Sequence, residues 1–194
     1  MEVGDIFNKT HWDIISKRVS EKAIVVFPYL RDKKLKSAVL SNLFENVSAE
    51  YFTSIGIRCN PAESDKDPDL YFPKLEKPVE IKVTGLDSWD SKKIAWMGGK
   101  YSKRTADFIL VAWYYNDFKN SLFGDDEAEI RFYMVNTFIE QSEWNVISDD
   151  SYYATKFTSE QLKNKEYTVL LGEERHEVFF LHTAPEKKLG ISKS

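Results

Sequence analysis

Asp69, Glu80 and Lys82 are two hard carboxylates and an ammonium whose spacing puts them within reach of one another. Pro68-Asp69-Leu70-Tyr71-Phe72 reads as a short strand, and Val79-Glu80-Ile81-Lys82-Val83 as a second. Between them runs a loop with Pro73 and Pro78 at its ends. Side chains on a strand alternate between two faces. Val79, Ile81 and Val83 then point into a core, and Glu80 and Lys82 stand side by side on the other face. In the first strand Leu70 and Phe72 suit the core, leaving Asp69 and Tyr71 for the other face. Pairing of the two strands brings Asp69 up to Glu80 and Lys82. Two carboxylates can hold Mg²⁺, which prefers oxygen ligands and keeps several waters. A metal so held lowers the pKa of bound water and stabilises charge on a phosphoryl group. A neighbouring lysine orients or deprotonates the attacking water and neutralises developing phosphate charge. The same residues are also compatible with an ordinary solvated strand face, on which Glu-x-Lys is a simple polar alternation.

Pro68-Asp69 followed by Glu80-Ile81-Lys82 resembles the PD-(D/E)xK signature of the nuclease superfamily that contains many type II restriction endonucleases. The resemblance covers roughly residues 39 to 115. It implies an α/β fold with a restriction-endonuclease-like core, a central mixed β-sheet flanked by α-helices. It also implies a catalytic set of Asp69, Glu80 and Lys82, with Asp69, Glu80 and the Ile81 backbone carbonyl on Mg²⁺. Many members carry a further glutamate on the helix before the motif, and Glu50 is the position matched to that role, with Glu45 as runner-up.

The helix that would carry it spans Asp32 to Gly56, with Leu35, Val39, Leu40, Leu43, Phe44, Val47 and Tyr51 recurring at steps of three and four. At 100° per residue Glu50 falls on this apolar stripe, and a carboxylate on a buried face is costly unless it is paired or binds a metal. An alternative is a helix edge from which Glu50 reaches solvent. Asp65 and Asp67, in the polar loop from Asn60 to Asp67, are alternatives to Asp69 as the metal-binding acid. Asp69 is preferred because it starts the strand and apolar residues follow it.

The totals set the frame. A chain of 194 residues with 42% hydrophobic and 14% aromatic residues suits one folded domain with a sizeable core. The expected division is a core over about 35–145 and a C-terminal hairpin extension over 150–184. No apolar run spans a bilayer and no signal-peptide core is evident at the N-terminus, so a cytoplasmic protein without membrane contact is expected. Cys59 stands alone, which fits a reducing compartment and reads as a small buried residue. The net charge of −4 gives no support for non-specific polyanion binding, so any DNA contact must come from local clustering.

Such a cluster follows the motif. From Lys92 to Arg104 there are five basic residues and no acid, interleaved with aromatics and a glycine pair. Basic side chains contact phosphates, and glycine lets the backbone come close to a ligand. The DNA-binding candidates are Lys92, Lys93, Gly98, Gly99, Lys100, Tyr101, Ser102, Lys103 and Arg104. A phosphate loop of the Walker type is absent. An exposed lysine-rich loop is the plain alternative.

Elsewhere, Val3 to Lys22 reads as an amphipathic helix carrying His11, and Ala23 to Phe27 as a brief buried run ended by Pro28. Ile55 to Cys59 reads as a first strand, and Asp107 to Tyr115 as a central strand covered on both faces. Glu129 to Val135 is a further strand, after which Asn136 or Thr137 caps a helix through Trp144. A short helix starts near Ser159, and Tyr167–Leu171 pairs with Glu177–Leu181 in a hairpin. His176 and His182 lack the further ligands of a zinc site. The resemblance implies a Mg²⁺-dependent type II site-specific deoxyribonuclease, a homodimer acting on double-stranded DNA and leaving 5′-phosphates. A repair or junction-resolving nuclease of the same superfamily and a non-catalytic DNA-binding module are the alternatives.

Overall fold

The computed structural model describes residues 2–64, 67–87, 93–94, 96–100, 106–116, 128–138, 144–146, 152–155, 167–171 and 180–181. Two helices form where one was expected: α1 (Val3–Ile6) and α2 (Lys9–Val26). Asn8 separates them, because its side chain accepts a hydrogen bond from Thr10 N at 2.9 Å and caps α2. The buried Trp12 indole donates to the Ile6 carbonyl at 2.8 Å and ties the two helices together. The run from Ala23 is the last turn of α2. Ala23 and Phe27 are buried, but Val25 and Val26 are exposed, which corrects the expectation of a buried segment. Pro28 lies in a 3₁₀ turn (Phe27–Tyr29) that ends the helix.

α3 (Lys33–Ser54) begins at Asp32, whose side chain accepts from Lys34 N at 2.6 Å. It stops at Gly56, which takes φ +80°, the left-handed conformation that glycine adopts without a Cβ penalty. Its buried side is formed by Leu40, Phe44, Val47, Ser48, Tyr51 and Phe52, while Leu35 is exposed.

The strands are β1 (Asn60–Pro61), β2 (Leu70–Phe72), β3 (Lys77–Gly85), β4 (Lys93–Ile94), β5 (Trp96–Lys100), β6 (Asp107–Asn116), β7 (Glu129–Phe138), β8 (Trp144–Val146), β9 (Tyr152–Thr155), β10 (Tyr167–Leu171) and β11 (Phe180–Leu181). Six of them form one mixed sheet in the order β1-β2-β3-β6-β7-β10. β3 and β6 are parallel, and the other neighbours in this sheet are antiparallel. The chain is therefore a mixed α/β protein.

Helices α2 and α3 cover one face of the sheet. There Val79, Ile81, Ile109, Val111, Phe132 and Met134 join Trp12, Phe44 and Phe52 in a continuous core. Edge-to-face ring pairs run through it, Phe44 against Phe132 at 5.2 Å and Phe52 against Phe72 at 5.2 Å. Leu110 and Ala112 alternate to the opposite face of β6 and are buried too. β6 is thus a central strand covered on both sides, as its unbroken apolar run predicts.

Three further expectations are corrected. Ile55–Cys59 is not a strand: the helix turns out through Gly56, and strand pairing starts at Asn60. Asn136–Phe138 do not cap a helix but prolong β7, because their backbones pair with Ile109, Phe108 and Asp107. Tyr167–Leu171 does not fold back on Phe180–Leu181. β10 joins the main sheet beside β7, and β11 pairs in parallel with β4. Among the described residues β8 and β9 pair with β5 in a third sheet, in the order β5-β9-β8. The helix near Ser159 and the residues His176 and His182 lie outside the described residues. Among the described residues no helix is long and apolar enough to cross a membrane.

Candidate active site

β2 and β3 form the expected hairpin, turned by Pro73–Glu76, with Leu70 opposite Val79 and Phe72 opposite Lys77. Leu70, Phe72, Val79 and Ile81 are buried in the helix-side core. Alternation then sends Glu80 and Lys82 to the other face, with Lys82 in register with Leu110 of β6. Asp69 precedes β2 by one residue and is fixed from three directions. Its carbonyl accepts from Ala62 N at 3.1 Å. Its carboxylate Oδ2 accepts from Ile81 N at 2.7 Å. Its own N–H donates to Glu80 Oε2 at 3.3 Å.

Glu80 is 0% exposed, and its Oε1 accepts from the Lys82 ammonium. Lys82 keeps 20% of its side-chain exposure. Moving a carboxylate out of water costs several kcal/mol, and this cost is tolerable only with a cation or donors at both oxygens. Glu80 has both: Lys82 on Oε1 and the Asp69 amide on Oε2. Asp69, Glu80 and Lys82 therefore converge. The Ile81 N–H points at Asp69, and in an extended strand the carbonyl of the same residue points to the same side of the chain. The Ile81 carbonyl thus faces the Asp69 gap rather than β6.

Two carboxylates and a backbone carbonyl are an oxygen donor set that suits a hard divalent cation. Among the described residues no group of three or more His, Cys, Asp or Glu side chains is arranged to hold a metal, so such an ion would keep waters for its remaining positions. The Lys82 ammonium supplies the positive charge that Glu80 needs in the absence of an ion.

The helix glutamate is corrected. Glu50 is exposed, outside the buried arc of α3, and Glu45 is half-buried and engaged in contacts. Glu45 lies seven residues before Phe52, about 20° from it around the helix, and Phe52 is fully buried. α3 packs on the face of β3 that carries Val79 and Ile81, opposite to Glu80 and Lys82. Asp67 is exposed and accepts from Ser64 Oγ at 2.8 Å. Asp65 lies outside the described residues.

In the basic segment, Trp96–Lys100 is not a loop but β5, which pairs with β9 and approaches β3. Gly98, Gly99 and Lys100 are thereby carried on a strand near the strand that bears Glu80 and Lys82. Lys93 belongs to β4. Lys92, Tyr101, Ser102, Lys103 and Arg104 lie outside the described residues.

One buried acid escaped sequence reasoning. Asp107, the first residue of β6, is buried and pairs with Lys77 Nζ at 3.4 Å. The signal was available: an acid opening a wholly apolar strand needs a cation. Its alternation places it on the helix face with Ile109, opposite to Glu80.

His11 Nδ1 lies 2.8 Å from Tyr51 Oη, an inter-helix contact between α2 and α3. Cys59 is buried, and burial pushes its thiol up to about 12, which suits a packing residue and not a nucleophile. Compared with protein-family models and with curated proteins, the chain matches none.

Proposed function

We propose that this protein is a Mg²⁺-dependent DNA endonuclease of the PD-(D/E)xK type, acting on double-stranded DNA at a short specific sequence. The observation that carries the reading is the convergence of Asp69, Glu80 and Lys82 at one end of the β2–β3 hairpin, each held by a defined partner. Asp69, Glu80 and the Ile81 carbonyl would hold the ion. When bound, Mg²⁺ supplies charge neutralisation at the scissile phosphate and an acidified water.

Lys82, as the ammonium, positions that water by hydrogen bonding and offsets charge on the phosphoryl oxygens, and the water's proton passes to solvent. Water oxygen forms the new bond to phosphorus in line with the departing 3′-oxygen. The P–O3′ bond breaks, the 3′-oxygen takes a proton, and the phosphate stays on the 5′ end. Asp69 has the more restricted role of ligand, because Ala62, Ile81 and Glu80 together fix its orientation. Double-stranded cutting at a two-fold sequence calls for two active sites, which a homodimer supplies.

A second reading, a non-catalytic DNA-binding module, draws on the burial of Glu80 and its internal pairing with Lys82, which is also how a structural ion pair looks. Digestion of plasmid and phage DNA with Mg²⁺, by wild type and by folded Asp69→Ala and Lys82→Ala variants, decides among the readings. Discrete fragments lost in both variants support the site-specific endonuclease. Smeared or structure-dependent cutting lost in both points to a repair or junction enzyme. No cutting with any DNA or metal leaves the binding module.

A further inference from the structure

The far end of the same strand pair carries a second, chemically different cavity. β3 and β6 run parallel with Gly85 in register with Trp113, so β6 continues three residues past the end of β3. Leu86 N donates to the Trp113 carbonyl at 2.8 Å. The step left at this carboxyl end is closed from above by the first turn of α3. The result is an open pocket of about 340 Å³, of a size that admits a small ligand. Crevices at the carboxyl ends of parallel strands are where open α/β sheets take ligands.

Its lining is cationic and aromatic. Arg31, Lys33 and Lys36 border it together with Trp113, Tyr114 and Tyr115, against a single acid, Asp87, which pairs with Lys33. Lys36 Nζ stands 4.6 Å from the Tyr115 ring centroid and 5.4 Å from that of Phe27, so its charge is held in place over aromatic faces. The exposed Arg31 brings a planar guanidinium, which matches phosphate oxygens in a fork. The N-terminus of α3 is already capped by Asp32, so anion recognition here falls to side chains. Gly85 belongs to the same construction: a Cβ there would lie 2.7 Å from Lys33 Cδ and 2.8 Å from Trp113 Cζ2. The glycine lets the lysine stem and the indole edge close onto the strand.

We propose that this pocket binds a nucleotide, with Arg31 and Lys36 holding the phosphate and the aromatic wall receiving the base or sugar. Both a free nucleotide and one nucleotide of a DNA strand present this chemistry. Four residue steps along the strand lead from Lys82 to Leu86, about 13 Å at 3.3 Å per residue. The proposal stands apart from the nuclease reading, because it needs neither a metal nor Asp69.

Calorimetric titration in EDTA tests it, with thymidine 5′-monophosphate, thymidine, inorganic phosphate and 5′-phosphorylated hexathymidylate as probes. Wild type and Asp69→Ala should bind the monophosphate equally, and more tightly than thymidine or phosphate. Arg31→Gln, at an exposed position whose loss leaves the core intact, should weaken the monophosphate at least tenfold. Lys36→Gln should do the same, with circular dichroism confirming the fold. Tighter binding of hexathymidylate than of the monophosphate, again lost in Arg31→Gln, assigns the site to a DNA strand. Equal or weaker binding assigns it to a free nucleotide. No binding of any probe at millimolar concentration, or undiminished binding in Arg31→Gln and Lys36→Gln, overturns the proposal.

Discussion

Removing the Lys82 ammonium should reveal how far Glu80 depends on it. Glu80 has no exposed surface and accepts from Lys82 on one oxygen and from the Asp69 amide on the other. In Lys82→Met a buried carboxylate loses its cation and keeps the Asp69 amide donor. Breaking a buried pair from one side costs about 3–5 kcal/mol. Because Lys82 keeps 20% exposure and water can enter where it stood, the lower end, about 3 kcal/mol, is expected. For a chain of this length that is a fall of about 6–12 °C in Tm.

Glu80→Gln should cost less, about 1–2 kcal/mol. The amide oxygen still accepts from Asp69 N, and the lysine can swing toward solvent. The double variant removes the stranded carboxylate altogether, so it should be more stable than Lys82→Met alone. The expected coupling in the cycle is about 2 kcal/mol. Urea unfolding of the four proteins, without divalent metal, reads these values. A double variant whose loss equals the sum of the two singles would refute the pairing, and with it the charge balance assigned to this site.

Other consequences are open to direct measurement. Cys59, raised from 9.0 to about 12 by burial, should resist iodoacetamide in the folded protein at pH 8.5 and react at once in urea. The protonated thiol favours the folded state, so its contribution is complete below pH 9 and is lost as pH rises toward about 12. Mass spectrometry of alkylated protein and unfolding titrations between pH 8 and 11 check the two parts. Gly85→Ala should displace the Lys33 stem or the Trp113 indole, which a Cβ would meet at 2.7 and 2.8 Å. A loss of about 1–3 kcal/mol is expected, the usual cost of overpacking, read as a lower urea midpoint. In DNA cleavage, Glu50→Gln, at an exposed position, should change the rate less than twofold, read by plasmid nicking. A loss of tenfold or more in folded Glu50→Gln would mean that this glutamate does serve the site.

The β2–β3 hairpin and the meeting of Asp69 with Glu80 and Lys82 were legible because strand alternation is local. Val79 and Ile81 could not enter the core without turning Glu80 and Lys82 away from it. β6 announced itself in the same way, by an apolar run too long for a one-sided strand. Glu50 was misread because periodicity gives the width of a helix stripe but not its centre. Glu50 lies about 60° from Val47 around the helix, and the packing of α3 on β3 buries the sector from Val47 through Phe52 instead. That choice is made by the sheet, not by the helix sequence. The partners of β10 and β11 were hidden for a related reason. Their alternation marks them as strands, but the edge each one joins depends on which edges the rest of the fold leaves open. The carboxyl-end pocket was equally invisible, since Arg31, Leu86 and Trp113 meet only through the parallel register of β3 and β6.

The central claim is that Asp69 and Glu80 hold a divalent ion for phosphodiester hydrolysis beside Lys82. Its most direct test is the Mg²⁺ dependence of supercoiled plasmid nicking by wild type and by Asp69→Asn, a change that keeps the side chain's size and its acceptor for Ile81 N. Saturating Mg²⁺ dependence in wild type, with a rate at least a thousandfold lower in folded Asp69→Asn, is the expected result. Nicking that proceeds in EDTA, or at an equal rate in Asp69→Asn, would contradict it.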